Sequence, residues 1–284
     1  MIRNRKIKWV LLVSSFLLFL FQALIIGIAE PRGYILLYDW IVYLVNYTII
    51  VMILLIYIQN SFIRWTVRMT AVIVVVSTTV FLVYKGDVHL VVDRSEGGRH
   101  EMILKEYSSR KQETISLKRV AWVFGKQTDV LTGSSDYKTL KKDTYKIEWH
   151  FGDTAVITYQ ASPDKNSLQQ EVVNFRPSSY VSYQNAVVGL MGEWVDRNQP
   201  EHTLQAEGSQ FVYARDGELF YYRAVDAEQH GIFAVTLKGY EQNPSLTIVL
   251  SPEAEFGDNN LIDGSITIHP VSLERVDKAV FERE

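Results

Sequence analysis

Hydrophobic positions along the chain follow two different rules. From Trp9 to Ile28 (WVLLVSSFLLFLFQALIIGI) some twenty residues pass without a charge, the length an α-helix needs to cross about 30 Å of hydrocarbon. Tyr34 to Ile58 is a second run of similar strength. Met69 to Tyr84 is shorter and becomes adequate when Trp65 to Arg68 enters the interface with Arg68 snorkelling. Its Val and Thr content also suits a buried strand, the alternative for this segment. The pattern therefore predicts three spans, about 9–28, 34–58 and 66–84.

Beyond Tyr84 the period shortens. Val88–Val92, Met102–Tyr107, Thr114–Phe124, Tyr145–Phe151 and Thr154–Gln160 read as strands, with Phe151-Gly152-Asp153 closing a hairpin. Tyr183, Ala186, Val187, Leu190, Met191, Trp194 and Val195 recur at helical spacing. With Ser178 or Ser179 as N-cap and Pro200 beyond the end, they predict an amphipathic helix lying over a sheet. Strands resume at Phe211–Ala214 and Glu218–Ala224 around an Asp216-Gly217 turn, then at Ile232–Gly239, Ser245–Leu250 and Ser265–His269. The fold class expected is three N-terminal transmembrane α-helices followed by an extracytoplasmic, β-rich α+β domain. Its parts would be residues 1–84 in the membrane, 85–175 near it and 176–284 distal, the last two forming either two subdomains or one.

Charge sets the orientation. Residues 1–84 hold seven Lys/Arg and two acids, a net +5, so the remainder of a −3 chain carries −8. Arg3, Arg5, Lys6 and Lys8 before the first span, and Arg64 and Arg68 before the third, place those ends in the cytoplasm. Everything after Tyr84 is then outside. Cleavage after Gly27 and Ala29, as in a signal peptide, is the alternative for the first span and leaves that topology unchanged. Residues 85–170 carry 14 basic against 12 acidic side chains, and residues 171–284 carry 8 against 18. The distal −10 serves solubility or offers an acidic surface to a basic partner.

The chain has no cysteine, which excludes disulfides, thiolate metal sites and a lipid-modified cysteine anchor. The only N-x-[ST] sequon, Asn46-Tyr47-Thr48, falls inside an apolar run. A large exported region without cystines or glycosylation sites fits a bacterial envelope.

Candidate chemistry is sparse. Ser108–Lys111, Ser135–Lys138 and Ser162–Lys165 each match Ser-x-x-Lys, but the companion Ser-Asp-Asn and Lys-Thr-Gly elements of penicillin-binding acyl-transferases are missing. The six histidines are scattered without metal-ligand spacing, and His150 and His269 are expected on strand surfaces. Asp258 to Gly264 resembles a calcium loop, yet Ile262 and Ile268 stand where oxygen ligands are required. No catalytic, cofactor or metal residue is therefore assigned. What stands out is inside the second span: Asp39, Tyr43, Asn46 and Tyr47 lie at i, i+4, i+7 and i+8, one polar-aromatic stripe near the depth of Ser77 and Thr78. An unpaired amide in hydrocarbon is costly, so the stripe should face protein. It reads as packing among the three helices, as a docking face for another membrane subunit, or as an ion path with Asp39 close to Arg32.

The function these features point to is a non-catalytic envelope protein whose β-rich module binds, senses or serves as an accessory subunit. Its expected partners are the lipid bilayer and a membrane protein or envelope ligand, with no nucleic acid. The alternatives are a membrane-anchored enzyme acting on envelope polymers and a transport subunit.

Overall fold

The computed structural model describes residues 2, 4–107, 114–131, 133, 137–164, 167–176, 184–240, 243–257, 260–274 and 278–284. The chain divides into two compact units, Met1–Val92 with Met102–Lys138, and Asp93–Glu101 with Thr139–Glu284. Positions 84 and 175 both lie inside a unit.

The first unit begins with α1 (Arg5–Leu24), opened by the Asn4 side chain, which accepts a hydrogen bond from the Lys6 amide at 3.0 Å. It leaves the α-helical path through a π-turn, Ile25–Ala29, and a 3-10 turn, Glu30–Arg32, stopped by Gly33 at φ 76°. β1 (Tyr34–Leu36), α2 (Trp40–Leu55) and α3 (Ser61–Lys85) follow, the last capped by Asn60. Two helical stretches, Arg5–Arg32 and Ser61–Lys85, are long and apolar enough to cross a membrane. Only 17% and 11% of their apolar windows are buried, whereas the core helix of a water-soluble protein hides most of its apolar side chains. At 16 residues, α2 is apolar but spans only about 24 Å.

The sheet of this unit contains β2 (Val88–Arg94), β3 (Glu101–Tyr107), β4 (Thr114–Ala121) and β5 (Phe124–Leu131). Its order is β1-β5-β4-β3-β2. Here the sequence expectation is corrected: Tyr34, Ile35 and Leu36 do not open the second helix but pair antiparallel with Lys126, Gly125 and Phe124. The predicted Thr114–Phe124 strand covers the first arm of the β4–β5 hairpin, its turn and the first residue of β5. Leu37, Ile103, Ile115 and Leu117 form the sheet's core cluster, with Leu90 and Tyr107 packed on it.

The second unit pairs β6 (Tyr145–His150), β7 (Thr154–Gln160) and β8 (Leu168–Asn174) in one sheet. The β6–β7 turn has Phe151 and Gly152 at φ 52° and 75°, as the hairpin signal requires. A short helix α4 (Ala186–Gly189) precedes β9 (Gly192–Asp196), β10 (Thr203–Glu207), β11 (Gln210–Arg215), β12 (Glu218–Arg223), β13 (Ala227–His230), β14 (Ala234–Leu237) and β15 (Leu246–Leu250). β16 (Glu255–Phe256) and β17 (Ile262–Asp263) make a small ladder, and β18 (Ser265–Pro270) and β19 (Ala279–Arg283) close the chain. Nine of these strands form an antiparallel sheet ordered β12-β11-β10-β9-β19-β18-β15-β14-β13. Tyr222 of β12 and Leu237 of β14 share one core with Trp194, Phe211 and Phe281, so the sheet curls around a single apolar centre. Along β15 the pleat alternates: Leu246, Ile248 and Leu250 face that centre, while Val249 packs with Val156 of β7.

The expected amphipathic helix is the largest departure. Only one turn forms, capped by the Asn185 side chain on the Val188 amide; the expected caps Ser178 and Ser179, and Tyr183, lie outside the described residues. The helix stops at Leu190, and Gly192 opens β9 at φ 119°, a conformation that other residues rarely adopt. Trp194 and Val195 then pair in β9 with Leu204 and Thr203. Tertiary pairing on both edges of β9 overrides helical spacing that was real in the sequence.

Candidate functional site

The first unit contains a cavity of about 380 Å³ between the helix ends and the sheet. Asp39, Tyr43 and Asn46 of the stripe line it, with Thr78, Phe81 and Lys85 from α3, Ile26 and Glu30 from the end of α1, and Tyr107 from β3. The i, i+4, i+7 spacing puts the stripe on one face even though Asp39 sits at the N-cap of α2 rather than inside it. Tyr47 does not line the cavity. Thr79 donates to the Val75 carbonyl at 2.8 Å, which leaves its oxygen to accept the Tyr47 hydroxyl, also at 2.8 Å. That bond joins α2 to α3, as Gln22 Nε2 donating to the Val42 carbonyl at 2.9 Å joins α1 to α2. The Asn46 side-chain amide makes no hydrogen bond to the described residues.

Asp39 does not pair with Arg32, whose guanidinium instead donates to the Ile28 carbonyl at 3.1 Å. Its partner is Lys105. On β3 the side chains of Ile103, Lys105 and Tyr107 share one face of the sheet, so the lysine enters an apolar cluster and is fully buried. Its Nζ donates to Asp39 Oδ1 at 2.7 Å and to the Leu36 carbonyl at 2.6 Å, and lies 4.8 Å from the Tyr107 ring centre. Burial pulls the Lys105 pKa below its ordinary value, while Asp39 and Glu30 oppose that shift. An ammonium with its donors used and its charge matched is an anchor between β3, β1 and the start of α2. Lys105 escaped sequence reasoning because it stands in a strand remote from the stripe. The signal was a lone lysine alternating with Ile103 and Tyr107.

The remaining cavity wall is less evenly matched. Glu30 and Lys85 make no ion pair among the described residues; Lys85 Nζ lies 5.5 Å from the Phe81 ring centre. The cavity thus presents one fixed charge of each sign, a free amide and apolar sides from Ile26, Val42 and Phe81.

In the second unit His150 and His269 are not on strand surfaces. They are 1% and 2% exposed and stack with ring centres 4.7 Å apart at 17°. The three-stranded sheet covers β15 and β18 here, which buries His150 at the end of β6. Thr267 donates to the Val249 carbonyl and accepts from His150 Nδ1 at 2.9 Å, and His269 Nδ1 donates to the Pro270 carbonyl at 3.1 Å. Both Nε2 lone pairs are then buried without a donor, so both rings are held neutral. Burial, followed by the neighbouring His269, Lys278, Lys146 and Arg176, drives His150 down to about 2. Burial also lowers His269, against the opposing field of Glu148. Among the described residues no group of three or more His, Cys, Asp or Glu side chains is placed to hold a metal. Ser108–Lys111, the serine of Ser135–Lys138, Lys165, and Asp258 and Asn259 of the calcium-like loop lie outside the described residues.

No protein family, no curated protein and no solved structure matches the chain.

Proposed function

We propose that this chain is a multi-pass protein of a bacterial cell membrane whose β-rich region lies outside the cytoplasm and acts as a binding or accessory subunit. All three helices span the bilayer in this reading, with α2 completed by the extended residues at its ends. The observation that carries it is the joint at the head of α2. The stripe, the cavity, the Asp39–Lys105 ion pair and the β1–β5 ladder all meet there, within one compact unit. A partner or ligand engaging the cavity contacts the helices and the sheet at once, so occupancy on one side biases the other without any enzymatic step. The apolar side chains left exposed along α1 and α3, including Trp9, Phe16, Phe19, Val72 and Ile73, support lipid as their solvent. The interhelical bond from Gln22 supports retention of the first helix rather than its cleavage.

Topology is tested with single cysteines, which the cysteine-free chain makes unambiguous. Gly33→Cys and Asp216→Cys should react with an impermeant thiol reagent in intact cells, and Ser61→Cys only after permeabilisation. Labelling of Ser61→Cys in intact cells overturns the arrangement. For the accessory role, a photo-crosslinking residue in place of Tyr43 should trap one reproducible membrane partner or ligand that the same residue at lipid-facing Val76 does not.

A further inference from the structure

We propose that the cavity of the first unit binds the head group of a phospholipid bearing a primary amine, with the ammonium on Glu30 and the phosphate on Lys85. This rests on the reading that α1 to α3 lie in a membrane, and it names the ligand class for the site described above.

The argument starts from charge. Asp39 is neutralised by Lys105 at 2.7 Å, so the fixed charges left on the wall are Glu30 and Lys85, neither in an ion pair among the described residues. A simple anion would satisfy Lys85 and be repelled by Glu30; a simple cation would do the reverse. A zwitterion satisfies both. The two groups are placed at the ends of helical segments, Glu30 in the 3-10 turn after α1 and Lys85 in the last turn of α3, the level at which a span meets the lipid head groups.

Depth adds the second observation. Asn46 lies seven residues beyond Asp39 along the chain, about 10 Å further in at 1.5 Å per residue. Its amide, without a protein partner, and Thr78 both line the cavity, deeper along the helices than the charged groups. Charges at the mouth, flanked by the apolar side chains of Ile26, Val42 and Phe81, and a hydrogen-bonding amide below them match the polar end of an amphiphile, head group and ester carbonyls; the acyl chains would lie along the exposed apolar faces of the helices. A small soluble zwitterion would use the mouth alone. A volume of about 380 Å³ lies within the range of small-molecule sites.

The test uses the full-length protein, delipidated in detergent, with thermal unfolding followed as lipid is added. Phosphatidylethanolamine should raise the midpoint by about 5 °C near saturation, as tight binding to the folded state alone does. Phosphatidylcholine, whose quaternary amine cannot donate a hydrogen bond, and phosphatidylglycerol, which has no amine, should raise it less. Glu30→Gln should cut the preference for phosphatidylethanolamine over phosphatidylcholine about tenfold, the effect of losing one hydrogen bond to a charged group. Lys85→Gln should weaken all three lipids together. Equal stabilisation by the three lipids in the wild-type protein overturns the proposal, and that comparison stands even where a variant fails to fold. Binding of water-soluble glycerophosphoethanolamine as tight as that of the lipid also overturns it, because the acyl part would then be unrecognised. The membrane reading is judged separately by the cysteine labelling: with topology upheld and head-group selectivity absent, only the lipid assignment falls.

Discussion

The long helices of the first unit and the core of the second bury opposite kinds of side chain. In α1 the buried positions are Ser15 and Gln22, and in α3 they are Ala71 and Thr78, while Phe16, Phe19, Val72, Ile73 and Val80 point outward. In the second unit the buried centre is Trp194, Leu204, Phe211, Tyr222, Ile248 and Phe281. Small and polar inside with apolar outside is how helices associate when their surroundings are as oily as their side chains. Apolar inside is what water demands. One chain thus carries two solutions to burial, and the sheet of the first unit, with a lysine in its core, is where the rules change.

The comparison breaks first at a large apolar side chain of that centre. Phe281→Ala in β19 should destabilise the second unit by about 3 to 5 kcal/mol, transfer and cavity terms combined, seen as a shifted urea midpoint of the tryptophan fluorescence. A loss below about 1 kcal/mol would mean the curled sheet is not organised around this centre.

Next is the ion pair. Asp39→Ala leaves the Lys105 ammonium buried with the Leu36 carbonyl, the Tyr107 ring and the field of Glu30 as its remaining support. Removing one partner of a buried pair costs about 3 to 5 kcal/mol, and the part-exposed aspartate puts the expectation near the lower figure. Adding Lys105→Met should recover most of the loss, because the strand face around it is already apolar. Thermal unfolding of the two single variants and the double variant gives the coupling directly. Additive losses would show that the two groups act independently and that the joint between β3 and α2 does not depend on their attraction.

Much of this architecture was legible, and the failures are local. The i, i+4, i+7 spacing of Asp39, Tyr43 and Asn46 located one wall of the cavity because a helix fixes the angular position of every residue. The partner of Asp39 was hidden because sheet contacts are non-local: nothing near Lys105 in sequence announces Asp39. β1 was lost inside an apolar run whose first three residues pair with β5. β5 itself was missed because the turn before it is Trp122-Val123, without Gly, Pro, Asn or Asp. At Trp194 two periods competed, and the edge partners of β9 decided between them. His150 and His269 were placed outside because strand alternation alone cannot tell that a second sheet covers the outer face.

That covered face gives a pH dependence confined to the second unit. The folded His150 and His269 are neutral with lowered pKa values, whereas an unfolded histidine binds a proton near 6.5. Below 6.5 the unfolded state therefore holds more protons, and stability falls as pH falls from 6.5 toward 2. It is complete above that window. The slope is at most about 1.4 kcal/mol per pH unit for each histidine. His150→Phe preserves a ring to stack on His269 and removes one proton site, so urea titrations from pH 7 to pH 4 should show the slope reduced by up to that amount. An unchanged slope would assign the acid sensitivity elsewhere.

The smallest effects discriminate most finely within the helices. Gln22 and Asn46 are both amides in apolar helices, yet Gln22 donates to Val42 and Asn46 faces the cavity without a protein partner. Replacing Gln22 by Leu removes an interhelical bond worth about 0.6 kcal/mol, with 1.7 as the upper measured range for such contacts. Asn46→Leu removes no bond to the described residues, and leucine is the more favourable residue in hydrocarbon. Thermal midpoints in detergent should accordingly fall for Gln22→Leu and hold or rise for Asn46→Leu, while phospholipid binding changes in the reverse order. Equal losses of stability would mean that Asn46 packs against its neighbours as Gln22 does. The stripe would then be an ordinary helix contact, and the cavity would hold no unpaired amide for a ligand.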